Sequence, residues 1–250
     1  MRDFKLIEEL GLAKKAAKEA GKYLVSNKRI LNQELSSTNR DIKLQADIEA
    51  EKIIKDILKR ESKIPILAEE SGISGHSTSK YLWVVDPLDG TANYSRNIPL
   101  CCVSIAMLSD TKPVLGVIYD FNNDELYHGS INTSACVNEQ EISVSTTKKS
   151  QEGILITGLP NDTDYSNEAM IEMIKNFQNW RKVRMIGSAA LASVYVSSGK
   201  ADLYMENKSY LWDIAAGAAI INAAGGEALI LNQNEKFQVD VRFSNSLIKT

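Results

Sequence analysis

Trp83-Val84-Val85-Asp86-Pro87-Leu88-Asp89-Gly90-Thr91-Ala92-Asn93 is the stretch that decides the reading of this chain. An apolar run over 81–85 predicts a buried strand, and two carboxylates then flank a Pro-Leu pair at its end. Proline fixes its own φ and restricts the residue before it, so Asp86 and the Leu88 carbonyl are held in a stiff turn. Carboxylates, a carbonyl and water are the donors that a hard divalent cation favours. Gly90-Thr91 predicts a helix start, whose free N–H groups suit a phosphate. Alone, an Asp-x-x-Asp pair is more simply a turn or a helix cap.

Working outward, more acids stand at the ends of apolar runs. The run 64–68 leads into Glu69-Glu70-Ser71, and Trp212-Asp213 opens an almost wholly apolar helix expected over 212–224. An aspartate there is also a natural N-terminal cap. Several acids entering apolar surroundings without evident basic partners repel one another unless a cation neutralises them.

Apolar residues at three- and four-residue steps predict amphipathic helices over 4–27 and 44–60. Strand-like runs at 101–108, 113–119 and 125–128, separated by polar turns, predict an antiparallel meander. From about residue 150 the pattern alternates: strand 154–157, helix 166–180, strand 182–186, helix 188–197, strand 201–205, helix 212–224, strand 228–231. These patterns predict an α+β half over 1–147 and an α/β half over 148–250, joined by the polar stretch 143–152, with ligands between them.

The 250 residues carry 44% hydrophobic and 24% charged side chains, the balance of an ordinary globular protein. A net charge of -3 argues against nucleic acid as a partner. No apolar stretch has the length of a membrane span and no signal-peptide core opens the chain, which predicts a cytoplasmic location. Three cysteines cannot build a secreted-type disulfide framework, and with only His76 and His128 as histidines a zinc site is disfavoured. GxSxG, GxxxxGK[ST] and GxGxxG motifs are all missing. Cys101-Cys102 reads as buried structural thiols, and His128 has no evident nucleophile partner.

Leu-Ala-Glu69-Glu70-Ser, Trp-Val-Val-Asp86-Pro-Leu-Asp89-Gly-Thr-Ala-Asn and Leu-Trp-Asp213-Ile-Ala-Ala-Gly, in this order, resemble the signature motifs of the inositol monophosphatase family. The resemblance runs from Asp41 past Asp213 to Ala224-Gly225-Gly226. It implies a layered α-β-α-β-α sandwich of the sugar-phosphatase type and a magnesium-dependent, lithium-sensitive phosphoric monoester hydrolase. Glu69, Asp86 and the Leu88 carbonyl would hold one magnesium ion, and Asp86, Asp89 and Asp213 a second. Two or three ions are implied, with manganese as a possible substitute, and Glu70 in a supporting role.

Asp47 and Thr91 match the pair that polarises the attacking water, with Glu69 in the catalytic set. Asp89, Gly90, Thr91, Ser188, Ala189 and Glu206 match substrate-binding positions. On their own, Asp47 and Glu206 read as surface acids and Gly187-Ser188 as a helix start. The resemblance also implies a homodimer acting on a small phosphate ester: inositol 1-phosphate first, with fructose bisphosphate or histidinol phosphate as further possibilities. A 3'(2'),5'-bisphosphate nucleotidase is the alternative, followed by a binding or regulatory protein on the same fold. The chain departs from the family at Lys43-Leu44, where a hydrophobic residue and threonine are usual, and at Ala92, where threonine is usual.

Overall fold

Helix α1 (Arg2–Ser26) buries the apolar stripe that its spacing predicts and is followed by a single turn, α2 (Lys28–Leu31). The structure, a computed structural model, describes residues 2–37, 42–75, 79–160 and 163–248. Asp41 and His76, both singled out in the sequence, lie outside the described residues. A short antiparallel hairpin that the sequence did not announce, β1 (Glu34–Ser37) with β2 (Ile42–Leu44), leads into α3 (Gln45–Glu61).

Next come β3 (Ile66–Ala68), β4 (Gly72–Ser74), β5 (Tyr81–Asp89) and the five-residue α4 (Thr91–Ser95). The expected meander follows as β6 (Cys102–Ser109), β7 (Lys112–Asp120) and β8 (Glu125–Ser130), extended by β9 (Thr133–Val137) and β10 (Gln140–Glu141). Together they form an eight-stranded sheet in the order β10-β9-β8-β7-β6-β5-β3-β4. Ala13, Ala17 and Leu24 of α1 and Ala50, Ile54 and Leu58 of α3 cover one face, against Trp83, Val85, Val103 and Val117.

The C-terminal part contains β11 (Ile154–Thr157), α5 (Asn167–Phe177), β12 (Lys182–Met185), α6 (Ala189–Ser197), β13 (Leu203–Tyr210), α7 (Leu211–Ala223), β14 (Glu227–Leu231) and β15 (Gln238–Ser244). Its five strands lie in the order β12-β11-β13-β15-β14. The β11–β12 and β11–β13 pairs are parallel, whereas β15 runs antiparallel to both its neighbours. Helices α6 and α7 are largely apolar because most of their surface is covered: Leu191, Val194, Ile214 and Ile221 are buried between the two sheets. With α5 over the far face of the second sheet, the layers read α-β-α-β-α. Among the described residues, no helix is long and apolar enough to cross a membrane.

Two strands run further than their apolar cores suggest. Strand β5 does not end at Val85 but continues through Pro87 to Asp89, and β13 continues past Met205 to Tyr210. Both carry an extra residue relative to their partner, and both bulges border the site.

Candidate active site

Asp86 pairs with Ser104 and Asp89 with Cys102, so three steps along β5 match two along β6. That is a β-bulge, and Pro87, which has no N–H to give to a ladder, sits inside it. The bulge decides where the acids point. In an unbroken strand, residues three apart face opposite sides. Here Trp83 and Val85 face the α1/α3 layer and so does Leu88, which places the parity switch between Val85 and Leu88. Asp86 and Asp89 consequently face the same cavity on the α6/α7 side. Asp86 Oδ1 accepts the Leu88 N–H at 2.9 Å, which fixes the turn. Gly90 then adopts φ +87°, and an added Cβ would lie 2.6 Å from the Leu100 oxygen, so this corner admits only glycine.

Parallel pairing of Ala68 with Val85 brings the end of β3 alongside Asp86, and the Glu69 N–H donates to the Val85 oxygen at 3.1 Å. Asp213 arrives from the first turn of α7, where its Oδ2 accepts the Tyr210 N–H at 3.1 Å. The capping role foreseen for Asp213 and a place on the cavity wall are thus compatible. Glu69, Asp86, Asp89 and Asp213 line one cavity of about 640 Å³, together with Gly90, Thr91, Ser188, Ala189 and Glu206.

Asp47 and Leu88 stand behind this wall. Asp47 is 2% exposed, not the solvent-facing helical acid that its position alone suggests. Its Oδ2 accepts the Leu44 N–H at 2.7 Å, capping α3, and its Oδ1 accepts the Thr91 hydroxyl at 3.0 Å. The same hydroxyl lies 3.0 Å from the Leu88 oxygen, while the Leu88 side chain packs into the core. Glu70 turns away from the cavity to an ion pair with Lys43, and its N–H donates to Glu51 Oε2 at 2.9 Å. The departure at Lys43 therefore supplies the counter-charge for the second acid of the Glu-Glu pair.

The loop before α6 locks onto Asp89. Ser188 caps α6 by accepting the Leu191 N–H at 3.2 Å, and its hydroxyl donates to Asp89 Oδ2. The N–H groups of Ala189 (3.3 Å) and Ala190 (2.9 Å) also reach the Asp89 carboxylate. Glu206 lies half-buried beside the β13 bulge, where its Oε1 accepts the Ser209 hydroxyl at 2.8 Å. Sequence reasoning missed Asn93. Its amide nitrogen lies 2.8 Å from the oxygens of Leu100 and Ile186 and 3.2 Å from that of Gly187, tying the acid-bearing loop to the loop that carries Ser188 and Ala189. Its place two residues after Thr91 was the signal, since two of its partners, Ile186 and Gly187, lie in a loop more than ninety residues away.

Electrostatics gives the cavity its chemistry. Burial holds the Asp86 carboxyl well above its usual range, and the charges of Glu69, Asp89 and Asp213 push it further. Asp213 is raised in the same way, by burial and then by Glu69 and Asp89. Glu69, open to cavity water on one side, is pushed up to about 8, chiefly by burial. Burial also raises Asp89, against the opposing pull of the Ser188 hydroxyl and the α6 N–H groups. Asp47 and Glu206 rise to about 7, again mainly through burial.

Among the described residues, none of the four cavity acids forms an ion pair with lysine or arginine. Such a cluster must take up protons or cations. An all-oxygen donor set fits a hard divalent ion. The cleft is open: among the described residues, no three Asp, Glu, Cys or His side chains are grouped as a ready-made cage.

Fold and site together define a class: a layered α/β protein that gathers carboxylates from its first sheet and from the central helix α7 at one cleft. The chain belongs to the inositol monophosphatase family, whose sequence pattern matches residues 6–248. It is 36% identical over 216 residues to the Nus factor SuhB of Xylella fastidiosa, spanning 85% of this chain and 78% of that protein. It is also 36% identical over 195 residues to an inositol-1-monophosphatase of Synechocystis sp., spanning 74% of this chain and 66% of that protein. The solved structure of the extragenic suppressor protein suhB from Bartonella henselae aligns with a TM-score of 0.86 at 31% identity, over 96% of this chain and 95% of the other. An inositol monophosphatase from Anabaena aligns with a TM-score of 0.83 at 31% identity, over 97% and 92%. Family membership supports a phosphatase of a metal-dependent kind.

Proposed function

We propose that the chain hydrolyses the phosphate monoester of a small polyol or sugar, an inositol 1-phosphate-like compound, with the help of magnesium ions. Glu69, Asp86 and the Leu88 carbonyl would hold one ion, and Asp86, Asp89 and Asp213 a second. When bound, such ions lower the pKa of water, orient the phosphate and offset charge on the leaving oxygen.

The chain's own residues supply the rest. Thr91 accepts a proton from the attacking water as its own hydroxyl proton passes to Asp47 Oδ1, 3.0 Å away. Burial brings the Asp47 carboxyl to about 7, where a general base operates well near neutral pH. The Leu44 N–H holds the other oxygen, so the base keeps its orientation. On the alcohol side, the Glu206 carboxylate offers an acceptor to a hydroxyl-rich group and the Ala189 N–H a donor that it shares with Asp89, 3.3 Å away, while Asn93 ties this side to the acids.

The observation that carries this reading is the convergence of Glu69, Asp86, Asp89 and Asp213, from separate parts of the chain, on one cavity with the Thr91–Asp47 pair at its edge. The test is a panel of phosphate esters: inositol 1-phosphate, fructose 1,6-bisphosphate, histidinol phosphate and adenosine 3',5'-bisphosphate, with magnesium and with lithium added. Turnover of a polyol or sugar ester that requires magnesium and is lost in Asp213→Asn is expected. Activity confined to the nucleotide, or indifferent to Asp213, would overturn the reading. A second reading, a binding role on the same fold, is favoured by the name of the Xylella relative and predicts no turnover of any ester.

A further inference from the structure

Beside Glu206 the active-site cavity adjoins a second chamber of about 420 Å³. The two share the wall 157–160, Glu206 and Lys208. Met170, Met173 and Phe177 recur at three- and four-residue steps on α5 and line the chamber, facing Met205 of β13. A helix with such a stripe ordinarily closes on the sheet beneath it. Yet α5 has no fully buried residue, so its apolar stripe roofs a space instead of filling it. Three thioethers and one ring make a soft wall that adapts to the shape of an apolar guest.

The junction between the cavities is itself built. Gly158 faces the Glu206 carboxylate closely, and the missing Cβ leaves room for that carboxylate where both chambers meet. Thr163, Asp164, Glu172 and Asn176 also line the chamber, but a bare polyol finds no partner along the face formed by Met170, Met173, Phe177 and Met205. A group that is apolar beyond its first hydroxyls would bury itself there.

We propose that this chamber is a second substrate subsite, receiving an apolar aliphatic or aromatic substituent carried by the alcohol part of the phosphate ester. The proposal rests on the phosphatase reading above and narrows its substrate class to polyol or sugar phosphates with an apolar extension.

The test compares inositol 1-phosphate with 1-naphthyl phosphate, using wild type, Met173→Trp to fill the chamber and Met173→Leu to conserve its volume. The expected result is that Met173→Trp lowers kcat/KM for the naphthyl ester by about tenfold or more, leaving inositol 1-phosphate within about twofold, while Met173→Leu changes neither. Should Met173→Trp fail to fold, Met170→Trp takes its place. Equal losses on both esters, no loss on either, or a wild type that turns over inositol 1-phosphate but not the naphthyl ester would each overturn the subsite. If wild type hydrolyses no ester, the phosphatase reading has failed, and the chamber is then judged by binding. Calorimetric binding of 1-naphthol by wild type but not by Met173→Trp upholds an apolar site, and no binding by wild type overturns it.

Discussion

Replacing Thr91 by valine keeps the shape of the side chain and removes one hydroxyl, the atom that lies 3.0 Å from both Asp47 Oδ1 and the Leu88 oxygen. If this hydroxyl relays a proton from water to Asp47, its loss removes general-base assistance worth about 10²- to 10⁴-fold in kcat. That corresponds to roughly 3–5 kcal/mol of barrier. Asp47→Asn removes the acceptor charge but retains an oxygen for the Leu44 N–H, so the cap of α3 survives. Acting as one relay, the two changes are not additive: the double variant loses no more than the worse single one. The Thr91 hydrogen bond also lowers the Asp47 pKa, so in the ion-free protein Thr91→Val raises it further. The assay is phosphate release at saturating magnesium, with ion affinity measured calorimetrically and expected to stay unchanged. Multiplicative losses, or single variants within about threefold of wild type, would refute the relay.

Two further predictions concern stability. Asp47, Glu69, Asp86, Asp89, Glu206 and Asp213 all have folded pKa values above their unfolded ones, so the ion-free folded state binds more protons than the unfolded state. Stability from this source is complete below the unfolded values near 4 and is lost as pH rises through about 7 to 8. The Tm of chelator-treated protein should therefore fall between pH 5 and 8, and magnesium should raise Tm more at pH 8 than at pH 5, because ions need ionised carboxylates; equal magnesium effects at both pH values contradict it. Asn93→Ala frees the Leu100, Ile186 and Gly187 carbonyls at once and should cost about 1–3 kcal/mol in denaturant unfolding. It should also raise KM more than it lowers kcat, and a variant as stable as wild type with unchanged KM would show that the bridge does not position the loops.

Much of this architecture was legible because periodicity reports burial. The alanine- and leucine-rich stripe of α1, the meander β6-β7-β8 and the largely apolar α6 and α7 follow from patterns that tertiary packing did not override. The strands nearest the chemistry were harder to read. Strand β5 looks finished at Val85 because acids and proline follow, yet the bulge carries it to Asp89. Strand β13 looks finished at Met205 because Glu206, Asn207 and Lys208 break the alternation, with Lys208 at φ +60° in a second bulge. Residues that re-aim a side chain are those that disturb a regular pattern, so local rules fail where the site is built. Strand β15 is a different case: Val239, Val241 and Phe243 do alternate with polar residues, but the polar stretch before them reads as a loop. The cavity acids were visible as acids at the ends of apolar runs or opening an apolar helix, whereas Asn93 and the Glu70–Lys43 pair depend on partners brought in by the fold.

A crystal grown with manganese and examined by anomalous scattering tests the central claim most directly. The expected result is density about 2.0–2.2 Å from an Asp86 oxygen, a span typical of small hard divalent ions, with at least two of Glu69, Asp89 and Asp213 completing the shell. Enzyme that turns over phosphate esters while its manganese lies elsewhere, or that holds no ion among these carboxylates, would contradict it.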